Sequence, residues 1–276
     1  MSLVPTVTSL LVHVDLEPRG RGRIELAAAL ADRFGARLIG VAAEDFQFPI
    51  YGDLSATVDT RSLDAAQRRV EEDLAKAEAL FRQVAGTRER LEWRSFSASP
   101  ERAITSEARC ADLVVIGQAI PGVGDEPMLD VAPAPVLIEA GRPVLVVPRM
   151  VRTLEARRVL CAWKNSREAR RALRDGLPFM VGAEAVTIAT IGDSTDPAEA
   201  LDVQAYLRGY GIEARRVHEP KTHGSVGETL LSIAEGEGAD LVVSGAYGHS
   251  RLREWVLGSV TRDLLRHAPV CCLLSH

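Results

Sequence analysis

Several things are scarce in this chain, and each scarcity excludes a class of function. Four cysteines stand among 276 residues, and none forms a Cys-x2-Cys pair. Cys161 lies in an apolar run, and Cys110 precedes Ala-Asp at a helix end. Cys271 and Cys272 are adjacent, so on a strand they face opposite sides of the sheet. Buried thiols in a reducing compartment are the expectation, rather than a disulfide framework or a zinc site. Histidines number six, and none is spaced as His-x3-His. His218 and His223 read as two solvated loop residues, and no metal site is expected. No apolar run approaches the roughly 18 residues of a membrane span. The stretch Met1 to Leu16 has no basic start and is interrupted by Asp15, so neither a signal peptide nor a membrane partner is expected, and cytoplasm is the default.

Sequence motifs of well-known nucleotide enzymes are also missing. There is no Gly-x4-Gly-Lys-Ser/Thr loop, and Gly20-Arg-Gly22-Arg23 does not make a Gly-x-Gly-x2-Gly dinucleotide turn. His13 and Asp15 share a strand face without a nucleophile, and Ser259 has no adjacent base, so no catalytic residue is assigned. Charge excludes a further class. Residues 1–150 hold 17 Lys and Arg against 22 Asp and Glu, and residues 151–276 hold 16 against 16. Neither half is a basic nucleic-acid surface.

What is present is one pattern, twice. Ala111-Asp-Leu-Val-Val-Ile-Gly117 recurs as Ala239-Asp-Leu-Val-Val-Ser-Gly245. Arg142-Pro-Val-Leu-Val-Val-Pro148 recurs as Ala268-Pro-Val-Cys-Cys-Leu-Leu274. The length suits two domains of about 140 residues. The basic, irregular stretch Arg149 to Ala156 places the boundary, giving residues 1–150 and 151–276.

Each half reads as five strands alternating with four helices. In the first, strands are expected at Thr6–Val14, Arg37–Ala42 and Arg90–Phe96, and within the runs Ala111–Gly117 and Arg142–Pro148. Helices are expected at Arg23–Phe34, stopped by Gly35, at Leu63–Val84, and from Pro100 with Ser99 as N-cap. Glu44 to Thr60 carries Phe46, Phe48 and Tyr51 without a clean period and reads as an aromatic loop. In the second half Ser166 opens a helix with Ala169, Leu173, Leu177 and Met180 on one stripe, and Ser225-x2-Glu228 is a capping box. Short buried strands alternating with helices mean a parallel sheet covered on both faces, the α/β class.

The stretch with most chemical content is Ala239 to Thr261. A short apolar strand delivers the chain to Gly245-x2-Gly248-x9-Gly258-Ser259, after which Val260 to His267 is helical. Glycine lets the backbone approach a phosphate, and the free N–H groups of a helix start point at it. This spacing resembles the nucleotide-binding signature of the universal stress protein family, and the two-fold repeat resembles its tandem members. The resemblance implies a five-stranded parallel sheet in each half, doubly wound, with halves or chains pairing through the last strand. Whether the two halves pair within one chain, or two chains also form a homodimer, is left open.

The resemblance also implies ATP as cofactor, with Mg2+ left open. Gly245, Gly248, Gly258 and Ser259 match the phosphate-binding positions, and His249, Ser250 and Arg251 lie between them. Arg251 and Arg253 read equally well as solvated loop charges. Ala162, Trp163 and Lys164 end the first strand of the half, and Thr190 matches a position whose backbone meets the adenine edge. Trp163 reads either as a stacking partner for adenine or as core. Lys164 departs from the family pattern, which has an acid there to hold the nucleoside. Lysine cannot accept from ribose hydroxyls. In the first half Asp15 keeps that acid, but Gly122, Gly124, Asp125 and Glu126 replace the phosphate loop and Ala134-Pro135 stands where Gly-Ser would be. That half is expected not to bind ATP in the same way. The implied function is an ATP-binding stress protein with a sensing or regulatory role toward an unidentified protein partner. The alternatives are a slow ATPase and a nucleotide-free interaction scaffold.

Overall fold

The structure, a computed structural model, describes residues 4–18, 20–45, 60–118, 131–192, 197–222, 224–247 and 259–276. Among the described residues ten strands are formed: β1 Ser9–His13, β2 Arg37–Ala43, β3 Leu91–Phe96, β4 Leu113–Gly117, β5 Val144–Val147, β6 Arg158–Ala162, β7 Ala185–Ile191, β8 Ala214–Glu219, β9 Leu241–Gly245 and β10 Cys271–Ser275. Eight α-helices alternate with them: α1 Gly20–Phe34, α2 Thr60–Ala85, α3 Pro100–Glu107, α4 Pro133–Glu139, α5 Arg167–Met180, α6 Pro197–Arg208, α7 Val226–Gly236 and α8 Ser259–His267. A 3-10 turn, Ala108–Cys110, follows α3.

All ten strands join one sheet in the order β3-β2-β1-β4-β5-β10-β9-β6-β7-β8. Pairing is parallel throughout each half, and the halves meet where β5 runs antiparallel to β10, with Leu145 opposite Leu273. Successive residues of the apolar strands serve opposite faces. Leu10 and Val12 point to one core and Leu11 to the other, and Cys271 and Cys272 divide in the same way. Helices α1, α2, α5 and α6 cover the first face, and α3, α4, α7 and α8 the second. Both cores run across both halves. Phe34 of α1 meets Phe179 of α5 edge-on at 5.4 Å, and Phe179 is fully buried. Such burial contributes about 1.5–3 kcal/mol per large apolar side chain, which binds the halves together rather than leaving them tethered.

The elements agree with the periodic pattern to within a few residues. Helix α1 begins at Gly20, three residues before the expected Arg23, and Gly35 ends it in the left-handed conformation at φ 63°. Ser225 and Glu228 form both bonds of the capping box. Ser99 is a correction: it precedes α3, but its hydroxyl donates to Glu101 Oε2 at 2.7 Å and caps no backbone N–H. A nearby carboxylate outcompetes the helix amides for that hydroxyl. The aromatic stretch 46–51 lies outside the described residues. No described helix is long and apolar enough to cross a membrane.

Candidate functional site

In the second half the strand order reverses between β6 and β9, and in open parallel sheets the crevice at that reversal, beyond the carboxyl ends, is where ligands are held. Gly245 ends β9 there. A Cβ on it would lie 2.5 Å from the amide nitrogen of Ala169 and 2.7 Å from the carbonyl carbon of Glu168. Only glycine lets the first turn of α5 rest directly on the strand end. Ser166 caps that helix by accepting from Ala169 N–H at 3.2 Å.

Beyond Gly245 the chain turns sharply. Tyr247 adopts φ 62°, a left-handed conformation that costs a non-glycine residue of order 1–3 kcal/mol. Its N–H donates to Thr261 Oγ1 at 3.3 Å, which fastens the loop start to the first turn of α8. Its ring meets His276 edge-on at 6.0 Å, and burial pushes its phenol up to about 12. Ser259 is exposed at the first position of α8, beside the helix-start amides, which have no partner within the helix. Gly245 and Ser259 are thus brought to one end of the sheet. Gly248, His249, Ser250, Arg251, Arg253 and Gly258 lie outside the described residues.

On the other side of the reversal, β6 delivers Ala162, Trp163 and Lys164. Trp163 N–H donates to Ala189 O at 2.8 Å, and the indole packs against the first-face core. Its ring N–H is buried and has no partner among the described residues. Lys164 is exposed, followed by Asn165, which accepts from Arg170 Nη1 at 2.8 Å and donates to Glu199 Oε1 at 3.0 Å. Thr190, buried at the end of β7, has its hydroxyl 3.0 Å from His218 Nδ1 of β8. His218 is exposed, as expected of a solvated residue, and it also meets this strand neighbour, a pairing that only the β7–β8 register reveals. His223 lies outside the described residues.

The first half carries the same reversal between β1 and β4, closed from within. Leu10 pairs with Leu113 as Val159 pairs with Leu241, so Asp15 occupies the register of Lys164 and Gly117 that of Gly245. Asp15 is 3% exposed. Arg23 of α1 donates through Nη2 to Asp15 Oδ2 at 2.5 Å and through Nε to His13 O at 2.9 Å. Burial pushes the Asp15 carboxyl up, but the Arg23 charge, the neighbouring His13 and the bonds from Arg23 and Glu17 N–H outweigh it and hold the group below the usual carboxylate range. Two glycines make room for this pair. A Cβ on Gly117 would lie 2.4 Å from Arg23 Nη1, and one on Gly20 2.3 Å from Asp15 Oδ1. Where Gly245 meets helix backbone, Gly117 meets a guanidinium. Arg23 is the functional residue the sequence pattern did not single out. The signal was the Gly20-Arg-Gly22-Arg23 run, whose first glycine clears space for a carboxylate rather than for a dinucleotide. Gly122, Gly124, Asp125 and Glu126 lie outside the described residues.

Comparison with known proteins follows this division. Residues 155–276 match the model of the Universal stress protein family. Universal stress protein Slr1230 of Synechocystis is 26% identical over 138 residues, covering 47% of this chain and 45% of that protein. Universal stress protein MJ0577 of Methanocaldococcus jannaschii is 41% identical over 39 residues, 14% of this chain and 24% of that one. The chain thus spans less than half the length of either curated relative. Among solved structures, a universal stress protein from Archaeoglobus fulgidus superposes over 97% of both chains with TM-score 0.69 at 20% identity. One described as a putative universal stress protein from Pseudomonas aeruginosa covers 98% of this chain and 93% of its own with TM-score 0.56 at 14% identity. At those identities the likeness is one of fold. Residues 155–276 are thus similar to the universal stress protein family, and the chain carries that fold twice.

Proposed function

We propose that the chain is an ATP-binding stress protein of two domains, 1–150 and 151–276, with the nucleotide held in the second. The observation that carries the reading is the convergence at the β6–β9 reversal. Gly245, the first turn of α5 and the start of α8 at Ser259 bring backbone donors and a hydroxyl to one end of the sheet, which suits a phosphate chain. Gly248, His249, Arg251 and Gly258 complete the loop on this reading, and Trp163 and Thr190 flank the base. In the first domain the Arg23–Asp15 pair fills the corresponding place, so that domain is nucleotide-free. ATP binding changes the surface at that sheet end, and the changed surface is what a partner protein reads. Binding rather than turnover is the activity these groups support, and Mg2+ enters only with the phosphates.

The test is to purify the protein without added nucleotide, denature it and identify the released small molecules by mass spectrometry. ATP or ADP at about one per chain is expected on this reading, and none from the double variant Gly258→Val, Ser259→Ala. About two per chain would overturn the closed first domain. No release, followed by a silent titration with ATP and Mg2+, would overturn nucleotide binding. Gly245 is avoided in this test because a side chain there strikes the backbone of α5.

A further inference from the structure

Strand order fixes which end of a nucleotide meets which residue. The neighbours are β9, β6 and β7, in that order, and adjacent strands lie about 4.8 Å apart. Phosphates at Gly245 and Ser259 on the β9 side and a base at Thr190 on the β7 side leave the sugar over the end of β6. That end is Trp163 and Lys164, and it arches to Ala169 directly above Gly245.

A ribose with free 2′ and 3′ hydroxyls wants acceptors, and the first domain has a carboxylate at this register, Asp15, which Arg23 engages there. The second domain reverses the charge. Lys164, Arg167, Arg170 and Arg171 are all exposed along the end of β6 and the start of α5. The acid within that stretch, Glu168, is buried and engaged by Arg167. Asn165 Oδ1 accepts from Arg170, and Glu199 accepts from Asn165. An ammonium offers donors only, and guanidinium groups favour phosphate. The start of α5 adds its own positive end.

We infer that the second domain prefers adenine nucleotides whose ribose is itself phosphorylated, with Lys164 reading the sugar phosphate. The inference rests on the nucleotide reading above and names the substrate class more narrowly. An acid at the sugar position suits a bare hydroxyl and a cation suits a phosphate on it, the same logic by which dinucleotide sites separate the two cofactor forms.

Titration calorimetry on the full chain tests it with AMP, ATP, adenosine 2′,5′-bisphosphate and adenosine 3′,5′-bisphosphate, without Mg2+. At least one bisphosphate is expected to bind about tenfold more tightly than AMP, the size of one charge-assisted contact, and which of the two does so identifies the oxygen. Lys164→Asp is expected to invert that ratio and Lys164→Met to erase it, with melting curves close to wild type because a contact made by an exposed lysine contributes little to stability. ATP binding with no preference over AMP for either bisphosphate, or a preference untouched in Lys164→Asp, would overturn the inference and leave the nucleotide reading standing. Silence from all four ligands would overturn both.

Discussion

Arg23 and Asp15 are a buried pair whose worth depends on both members. Their side chains are 8% and 4% exposed, so neither charge can be left alone cheaply. Arg23→Met at neutral pH is expected to cost about 3–5 kcal/mol, because an unpaired carboxylate remains inside. Acid changes the sign of the argument. The Asp15 carboxyl is depressed in the folded state, so its contribution is complete above the unfolded carboxylate pKa of about 3.9 and fades as pH falls through the lower folded value. Urea unfolding of wild type and Arg23→Met at pH 7 and pH 3 should show the gap narrowing in acid, since protonating Asp15 relieves the variant. An equal gap at both values would mean that the pair is not what holds that corner. Little of this could be read from the chain alone. Asp15 announces itself by its place after a strand. Arg23 lies eight residues on, within a helix whose start the pattern put too late, and which residue fills a strand-end cleft is decided by tertiary register.

At the scale of elements, local chemistry was legible where it was self-contained. The Ser225-x2-Glu228 box needs only four consecutive residues, and it forms. Ser99 before Pro100 carried the same kind of signal and failed because Glu101 Oε2 took its hydroxyl. The two serines make a matched experiment. Ser225→Ala removes the acceptor for Glu228 N–H at 3.0 Å and the bond to Asp263 Oδ2 at 2.6 Å, which joins α7 to α8. It is expected to cost about 1–2 kcal/mol, and Ser99→Ala less than about 0.5 kcal/mol. Thermal melts of both variants check the contrast, and equal losses would contradict the difference in capping. The strands were legible for another reason: apolar runs such as Leu-Val-Val are too short for helices and too dry for loops. The glycine signature is a matter of spacing, and of its four members Gly245 and Ser259 lie among the described residues. The bonds from Tyr247 N–H to Thr261 and from Thr190 to His218 cross elements and leave no local mark.

For the whole molecule, both cores include residues of both halves, and β5 covers the edge of β10. One cooperative unfolding transition is therefore expected for the full chain, with the calorimetric and van't Hoff enthalpies agreeing. Two separated transitions would mean that the shared cores are not continuous in energy. Residues 151–276 produced alone would bare the β10 edge, a row of unpaired backbone groups beside the apolar side chains of Cys271 to Leu274. That fragment is expected to sediment as a dimer or larger species, and a stable monomer would contradict the role given to β5. The tandem arrangement was legible as a repeat, whereas its closure into one sheet follows from a pairing that no single half encodes.

The antiparallel seam between β5 and β10 sets different standards for the two halves. Each lends the other an edge, so neither can be discarded without exposing its neighbour. Ligand chemistry is not part of that exchange, because the seam lies apart from the β1–β4 and β6–β9 clefts. The first half, with an arginine in its cleft, still covers that border, and the border is what the second half requires of it.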